Sequence, residues 1–350
     1  MSKNQFEEYY NNVKATQDKL DKVSPTMCMA KWLQVSLHLP QGQTQSCYHP
    51  PTHPVPLSEL AQTPRALHNT VEKVKQRKLM WEGKRPEGCS YCWNIEDAPD
   101  GPHLSDRHYR SSEWWAQDAW DEVIEGGWDE NLNPRYVEVN FNQACNFKCT
   151  YCSPHLSTEW EKEVQEQGPL QLLDNQSHNH IESLRKNGLM PLQHSQKENP
   201  YVKAFWEWWP ELYPDLKVFR MTGGEPLMDK NTFRVLDYVN DHPKHDLNLS
   251  ITSNMCPPQP RLLDRFIDKL KAIEEVREWN DPTVVNPNTN NNWFIAPACN
   301  HFSLFISVDS VGKQAEYIRT GLDYDLMLDN IRRVTVSYTH LRAHETSLHL

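Results

Sequence analysis

No stretch of this 350-residue chain stays apolar for the about 20 residues that a bilayer-crossing helix needs, so no membrane partner is expected. Met1 to Lys22 is polar and charged and lacks an apolar h-region, so no secretory signal peptide is expected there. The expected compartment is therefore cytoplasmic. Basic charge is short as well: 36 Lys and Arg face 47 Asp and Glu, for a net charge of −11. That argues against a nucleic-acid-binding surface, which needs a basic stripe. The nine cysteines are an odd number, which argues against a disulfide framework. What remains, at 38% hydrophobic residues, can bury a core in one large domain or two ordinary ones.

Residues 1–22 read as a polar helix or a frayed tail. Lys31 to Leu39 reads as a strand, Pro40-Gln-Gly42 as a turn, and Gln43 to Tyr48 as a returning strand, a hairpin signal. Residues 57–82 read as helical, and 94–112 as a polar connector. Trp114, Trp115 and Trp120 share helical spacing and read as core, as do Val202, Phe205, Trp206 and Trp209. After Pro134 strands and helices alternate. Strands are expected over Tyr136–Phe141, Lys217–Thr222, Leu247–Thr252 and His301–Val308. Helices are expected over Asn231–Val239, Pro260–Ile273 and Tyr324–Arg333. This order predicts βαβ units and a parallel sheet. Two insertions interrupt it, near 165–200 and 274–300, the second with an Asn-rich stretch, Asn286 to Asn292, read as a mobile loop.

The cysteines fall into tight groups. Cys145-Asn-Phe-Lys-Cys149-Thr-Tyr-Cys152 places three thiols on one short loop after a strand. Three thiolates can hold three corners of an iron–sulfur cubane and leave one iron open. Zinc also fits this spacing, with His155 as a fourth ligand. Upstream, Cys28 and Cys47 flank the hairpin in a Cys-x13-Gly-x4-Cys pattern that includes Gly42, and Cys89-Ser-Tyr-Cys92 follows. Four cysteines there also suit a structural zinc site, with His49 and His53 as alternative ligands. Cys256 and Cys299 are left over. Cys256 reads as an ordinary, partly buried thiol, with a hydrogen donor or extra ligand as the alternative.

Cys-x3-Cys-x2-Cys after a first strand resembles the signature of the radical S-adenosylmethionine (SAM) superfamily. The resemblance runs over roughly residues 134–333. It implies a 4Fe-4S cluster held by Cys145, Cys149 and Cys152, with SAM chelating the open iron. One electron from the cluster then breaks the sulfonium bond, and a 5′-deoxyadenosyl radical abstracts a substrate hydrogen. Tyr151 would lie against the adenine. Gly223-Gly224-Glu225-Pro226 resembles the family's GGEP element, which binds the SAM amino group; Ser253 and Asn254 would contact the ribose. Ser307 and Arg319 would hold the SAM carboxylate and ribose. The Cys28, Cys47, Cys89 and Cys92 set resembles the auxiliary-cluster motif of twitch and SPASM domains, implying a second 4Fe-4S cluster for electron transfer or structure. That domain usually follows the barrel, whereas here it precedes it; the motif's later cysteines are absent, which fits twitch better.

The expected fold is α/β: a partial (β/α)6 TIM-like radical SAM barrel, truncated, preceded by a small β-hairpin-plus-helix auxiliary-cluster domain. The expected segments are 1–27 (polar), 28–112 (twitch-like), 113–335 (barrel) and 336–350. This last segment lacks an apolar period. Val336 to Thr346 resembles one reading frame of a transposase sequencing-library adapter, so native sequence is expected to stop near Arg333 to Thr335. The four strands expected would leave an apolar sheet edge open, and such edges aggregate. The resemblance implies a peptide or protein substrate and a flavodoxin- or ferredoxin-type electron donor. The alternatives are a small-molecule or nucleotide substrate, and a non-catalytic zinc-stapled scaffold.

Overall fold

The computed structural model describes residues 3–101, 103–169, 180–190, 198–282, 285–286 and 288–337. The adapter-like residues 338–350, parts of the first insertion, and residues 283, 284 and 287 of the second lie outside them. The chain divides into two compact units. Unit 1 holds residues 1–38, 42–138 and 200–217; unit 2 holds 39–41, 139–199 and 218–350. These divisions do not follow the sequence segments. The N-terminal helix, the tryptophan-rich stretch after 113 and the helix Pro200–Leu212 all fall in unit 1.

Unit 1 opens with the helix Lys3–Val23, which buries Val13, Thr16 and Leu20 at helical spacing. A short helix, Ala30–Leu33, precedes strand β1 (Gln34–His38). β1 pairs antiparallel with β2 (Gln43–Gln45), with Leu37 opposite Thr44, and β2 pairs with β3 (His53–Pro54). The hairpin expected here is therefore present, with shorter strands. Gly42 has φ +64°, and a Cβ there would meet the Tyr201 ring at 2.2 Å. Only glycine fits that backbone and that space.

The expected helix over 57–82 is broken into Leu57–Leu60, a 3-10 turn Pro64–Leu67, and Val71–Trp81. Thr63 and Thr70 are the reason: each side chain accepts a backbone N–H and starts a new element, from Arg65 and Lys73 respectively. The expected connector 94–112 contains structure: helices Ser90–Glu96 and Asp106–Ser112, the latter opened by a Ser105–His108 capping box. Trp115 and Trp120 are buried, but Trp114 is 44% exposed and leaves the expected core. In Pro200–Leu212, Phe205, Trp208 and Trp209 are buried. Val202 and Trp206 are only partly buried, which also departs from expectation.

Unit 2 is built on strands at neighbouring positions in one sheet: β4 (Tyr136–Asn140, with its last two residues in this unit), β6 (Val218–Thr222), β7 (Lys244–Ser253) and β10 (Cys299–Ile306). β6 runs parallel to β7, and β7 parallel to β10. Helices Lys230–Asp241 and Pro260–Glu274 link successive strands. They bury Phe233, Leu236 and Val239, and Leu263, Phe266 and Leu270, over a sheet carrying Phe219, Met221, Leu249 and Ile251. The expected parallel α/β sheet is thus present, and it is compatible with a radical SAM-type fold. Between the cysteine loop and the chain's later part, two-residue strands β5 (Lys148–Cys149) and β11 (Arg319–Thr320) pair antiparallel. The second insertion is more ordered than expected: β8 (Arg277–Asn280) and β9 (Trp293–Ala296) form a hairpin, and the Asn286 side chain donates to the Trp293 carbonyl at 2.6 Å. No helix among the described residues is long and apolar enough to cross a membrane.

Candidate functional site

Each motif piece in unit 2 sits just beyond the C-terminal end of a strand. The cysteine loop follows β4, Gly223 to Pro226 follows β6, Ser253 ends β7 with Asn254 next, and Ser307 follows β10. Parallel α/β sheets bind ligands at this edge because the connecting loops converge there.

The cysteine loop is tied down along its length. Thr158 Oγ1 accepts from the Cys145 N–H at 3.2 Å and donates to its carbonyl at 3.0 Å. Ser157 holds the Phe147 carbonyl at 2.7 Å, and the Trp160 indole N–H donates to the Cys149 carbonyl at 2.9 Å. β11 sets Arg319 opposite Cys149. The three thiols are half-buried. Burial pushes Cys145 up to about 12 and raises Cys149 and Cys152, while the Arg319 guanidinium opposes the rise at the last two. The bare thiols therefore hold their protons at neutral pH, and metal binding must release them.

Gly223 and Gly224 run against the entrance of this loop. Gly223 has φ +118°, and a Cβ there would lie 2.3 Å from Asn140 Oδ1; on Gly224 it would lie 2.3 Å from the Ala144 carbonyl oxygen. The Glu225 N–H donates to that same carbonyl at 2.6 Å. Gly224→Ala must therefore push Ala144 away, one residue from Cys145. The expected cost is about 1–3 kcal/mol, with a lower melting temperature and reduced iron loading of the loop. Thermal melts paired with iron assays check it; a variant that melts and loads like the unsubstituted chain would refute the close fit.

Glu225 is engaged within the protein. It is 1% exposed and accepts from the Leu227 N–H at 3.0 Å, the Ser253 hydroxyl at 2.8 Å and the Asn254 N–H at 2.7 Å. Burial raises its pKa, and those donors oppose the rise. Glu225, Ser253 and Asn254, which the sequence brings in as separate contacts, are one network joining two strand ends. It continues: Asn254 Nδ2 donates to Asn146 Oδ1 at 3.1 Å, and Asn146 Nδ2 to the Cys256 carbonyl at 2.8 Å. Cys256 is buried, and its thiol donates to the Asp323 carbonyl at 3.5 Å, in keeping with an ordinary thiol. Pro226 starts a 3-10 turn and is buried. The Ser307 N–H donates to the Ser253 carbonyl at 3.3 Å.

Arg319 is buried and forms an ion pair with Asp309, while its Nη2 donates to the Tyr151 hydroxyl at 2.7 Å. That hydroxyl donates to Asp309 at 2.8 Å, and Tyr151 remains 53% exposed. Asp309 is a site residue that the sequence does not single out. Its only signal was a carboxylate directly after the Ser307 strand, too common a feature to single out.

In unit 1, Cys28, Cys47, Cys89 and Cys92 line one small pocket. Burial raises Cys28 and Cys47 and pushes Cys92 up to about 11. His49 also lines the pocket, stacked on Tyr91 at 3.7 Å with its Nε2 2.5 Å from Asp106. His53 is not among the lining residues and is engaged by the Thr70 hydroxyl at 2.9 Å. In the other unit, His155 Nδ1 is occupied by Ser153 at 2.8 Å. Among the described residues, no three cysteine sulfurs all lie within 4.8 Å of one another. The one group that close among the described residues is His245, Asp246 and Asp281, where the Lys244 ammonium already sits 2.6 Å from Asp246.

The chain is similar to the GTP 3',8-cyclase of Campylobacter lari, at 25% identity over 119 residues, which is 34% of this chain and 27% of that protein. It is similar to the GTP 3',8-cyclase of Campylobacter jejuni subsp. doylei, at 25% identity over 126 residues, 36% of this chain and 28% of that protein. The chain thus spans little more than a quarter of the length of these relatives. No family model and no solved structure matches. The similarity to these enzymes supports the radical SAM superfamily, and only at that level.

Proposed function

We propose that this chain is a radical SAM enzyme with a 4Fe-4S cluster on Cys145, Cys149 and Cys152, SAM at its open iron, and a second 4Fe-4S cluster on Cys28, Cys47, Cys89 and Cys92. The observation that carries the first site is the convergence of four motif pieces just beyond the ends of four strands of one sheet. The donor sets agree: thiols come in a three and a four, as iron–sulfur clusters require. When bound, the first cluster and SAM supply one-electron chemistry that opens the sulfonium and allows hydrogen abstraction from a substrate.

The chain's own residues bind and orient. Gly223 and Gly224 bring bare backbone to the loop's entrance, so the GGEP turn presents main-chain groups to a ligand's amino end. Tyr151, half exposed, offers a ring face to adenine. Arg319 offers a guanidinium to a carboxylate, and Asp309 and Tyr151 hold it in position. Glu225, Ser253 and Asn254 fix the adjoining strand ends.

The substrate read here is a nucleotide, on the similarity to enzymes named for GTP. The peptide or protein substrate implied by the auxiliary-cluster resemblance finds no support in those relatives. A flavodoxin- or ferredoxin-type protein remains the proposed electron donor. The test is anaerobic reconstitution of the full chain, followed by SAM cleavage with nucleoside triphosphates and, separately, a peptide library. About eight irons per chain, from two four-iron clusters, with cleavage stimulated by nucleotides is expected. Stimulation by peptides alone would overturn the substrate. An iron-free, zinc-loaded protein would overturn the enzyme.

A further inference from the structure

Among the described residues of unit 1, three basic side chains are buried without a carboxylate partner. Lys31 is 2% exposed, and Lys73 and Arg77 are 0% exposed. Their acceptors are all neutral. Lys31 Nζ donates to Gln76 Oε1 at 2.7 Å. Lys73 Nζ donates to the Gln34 carbonyl at 3.0 Å and to His68 Nδ1 at 2.8 Å. Arg77 donates to the Lys31 carbonyl at 3.1 Å and to Asn69 Oδ1 at 2.7 Å.

The other buried cations among the described residues have a carboxylate: Arg107 has Glu96 at 2.7 Å, Arg135 has Glu122, Lys244 has Asp246 at 2.6 Å, and Arg319 has Asp309. An unpaired charge in a protein interior costs several kcal/mol, and such groups persist where something opposite in sign faces them. Here Lys31 has thiols for neighbours, while Lys73 and Arg77 lie outside the pocket lining. Lys31 lines the four-cysteine pocket itself. Its charge opposes the rise that burial causes at Cys28 and Cys47; burial and the Arg77 and Lys31 charges push Lys73 well below the usual lysine range, and only negative charge at Cys47 opposes that fall. A 4Fe-4S core held by four thiolates carries net negative charge, and one more when reduced.

We infer that Lys31, with Lys73 and Arg77 behind it, is a built-in counter-charge for the anionic metal–thiolate group at Cys28, Cys47, Cys89 and Cys92, and that it raises the group's reduction potential. This rests on the reading that the four cysteines hold a 4Fe-4S cluster. The added electron then enters a field already positive, so the reduced form is favoured over what four thiolates alone would give.

The test uses the reconstituted full chain carrying Cys149→Ala, so that the N-terminal cluster alone reports. Potentiometric titration followed by electron paramagnetic resonance gives its midpoint, with and without Lys73→Met and Lys31→Gln. Each neutral substitution is expected to lower the midpoint by a tenfold change in the oxidised-to-reduced ratio, which is 59 mV for one electron. In iron-free protein, Lys73→Met is expected to unfold at the same or a higher denaturant concentration, because an uncompensated cation has gone. A variant that folds but no longer loads iron supports the counter-charge through affinity instead. Normal iron loading with an unmoved midpoint in both variants overturns the inference and leaves the cluster reading intact. No iron at this site in the chain without a lysine substitution overturns both.

Discussion

Cys149→Ala should abolish SAM cleavage while the rest of the chain stays folded. The side chain contributes a thiol, but the backbone around it is held by other means. The Trp160 indole grips the Cys149 carbonyl at 2.9 Å, and the β5–β11 pairing is made by main chain opposite Arg319. Deleting one half-buried sulfur therefore leaves the loop's path in place and removes one corner of the cluster. The expected loss is about a thousandfold or more in 5′-deoxyadenosine formation, equivalent to about 4 kcal/mol of barrier. Iron should fall by about four per chain, with the N-terminal four retained. Cys256→Ala is the control, because that thiol is spent on the Asp323 carbonyl at 3.5 Å. If Cys149→Ala kept full iron and full cleavage, the loop would not hold the reactive cluster.

The main elements of this molecule were legible because their signals are local. Alternating strands and helices after Pro134 gave the parallel sheet, and the hairpin around Gly42 was written in its turn. The cysteines, glycines and Arg319 could be picked out for the same reason: each belongs to a short run with fixed spacing. Part of what was not legible depends on contacts distant in sequence. Asp309 matters because Arg319 and Tyr151 come to it, and Tyr151 lies far away along the chain. Asn146 looks like an ordinary polar residue inside a cysteine motif until its amide is found between Asn254 and Cys256. Thr63 and Thr70 are local helix starts, but the apolar spacing over 57–82 runs across them and hides them. The β8–β9 hairpin was hidden by an Asn-rich connection that reads as loop.

Glu225 tests how far a motif's inherited role can be carried. If its carboxylate chiefly met a ligand's ammonium, Glu225→Ala would weaken SAM binding and leave the empty protein's stability nearly unchanged. The geometry predicts otherwise. Three donors converge on this 1%-exposed carboxylate, from Leu227, Ser253 and Asn254. Removing it strands them in the interior, at about 1–3 kcal/mol for each unsatisfied group. With partial relaxation, Glu225→Ala should destabilise the metal-free chain by about 3–5 kcal/mol, measured by denaturant titration without SAM. Glu225→Gln should lose less. Its amide oxygen can still accept from the Ser253 hydroxyl and the Leu227 N–H, which share Oε1. Its NH2 would instead face the Asn254 N–H, donor against donor. An alanine variant as stable as the unsubstituted chain would return Glu225 to the ligand. The predicted order, with alanine well below glutamine and glutamine below glutamate, would mean that the GGEP turn acts first as a buried clasp between β6 and β7. The neighbouring glycines, with their bare backbone, would then be the part of the motif left to meet SAM.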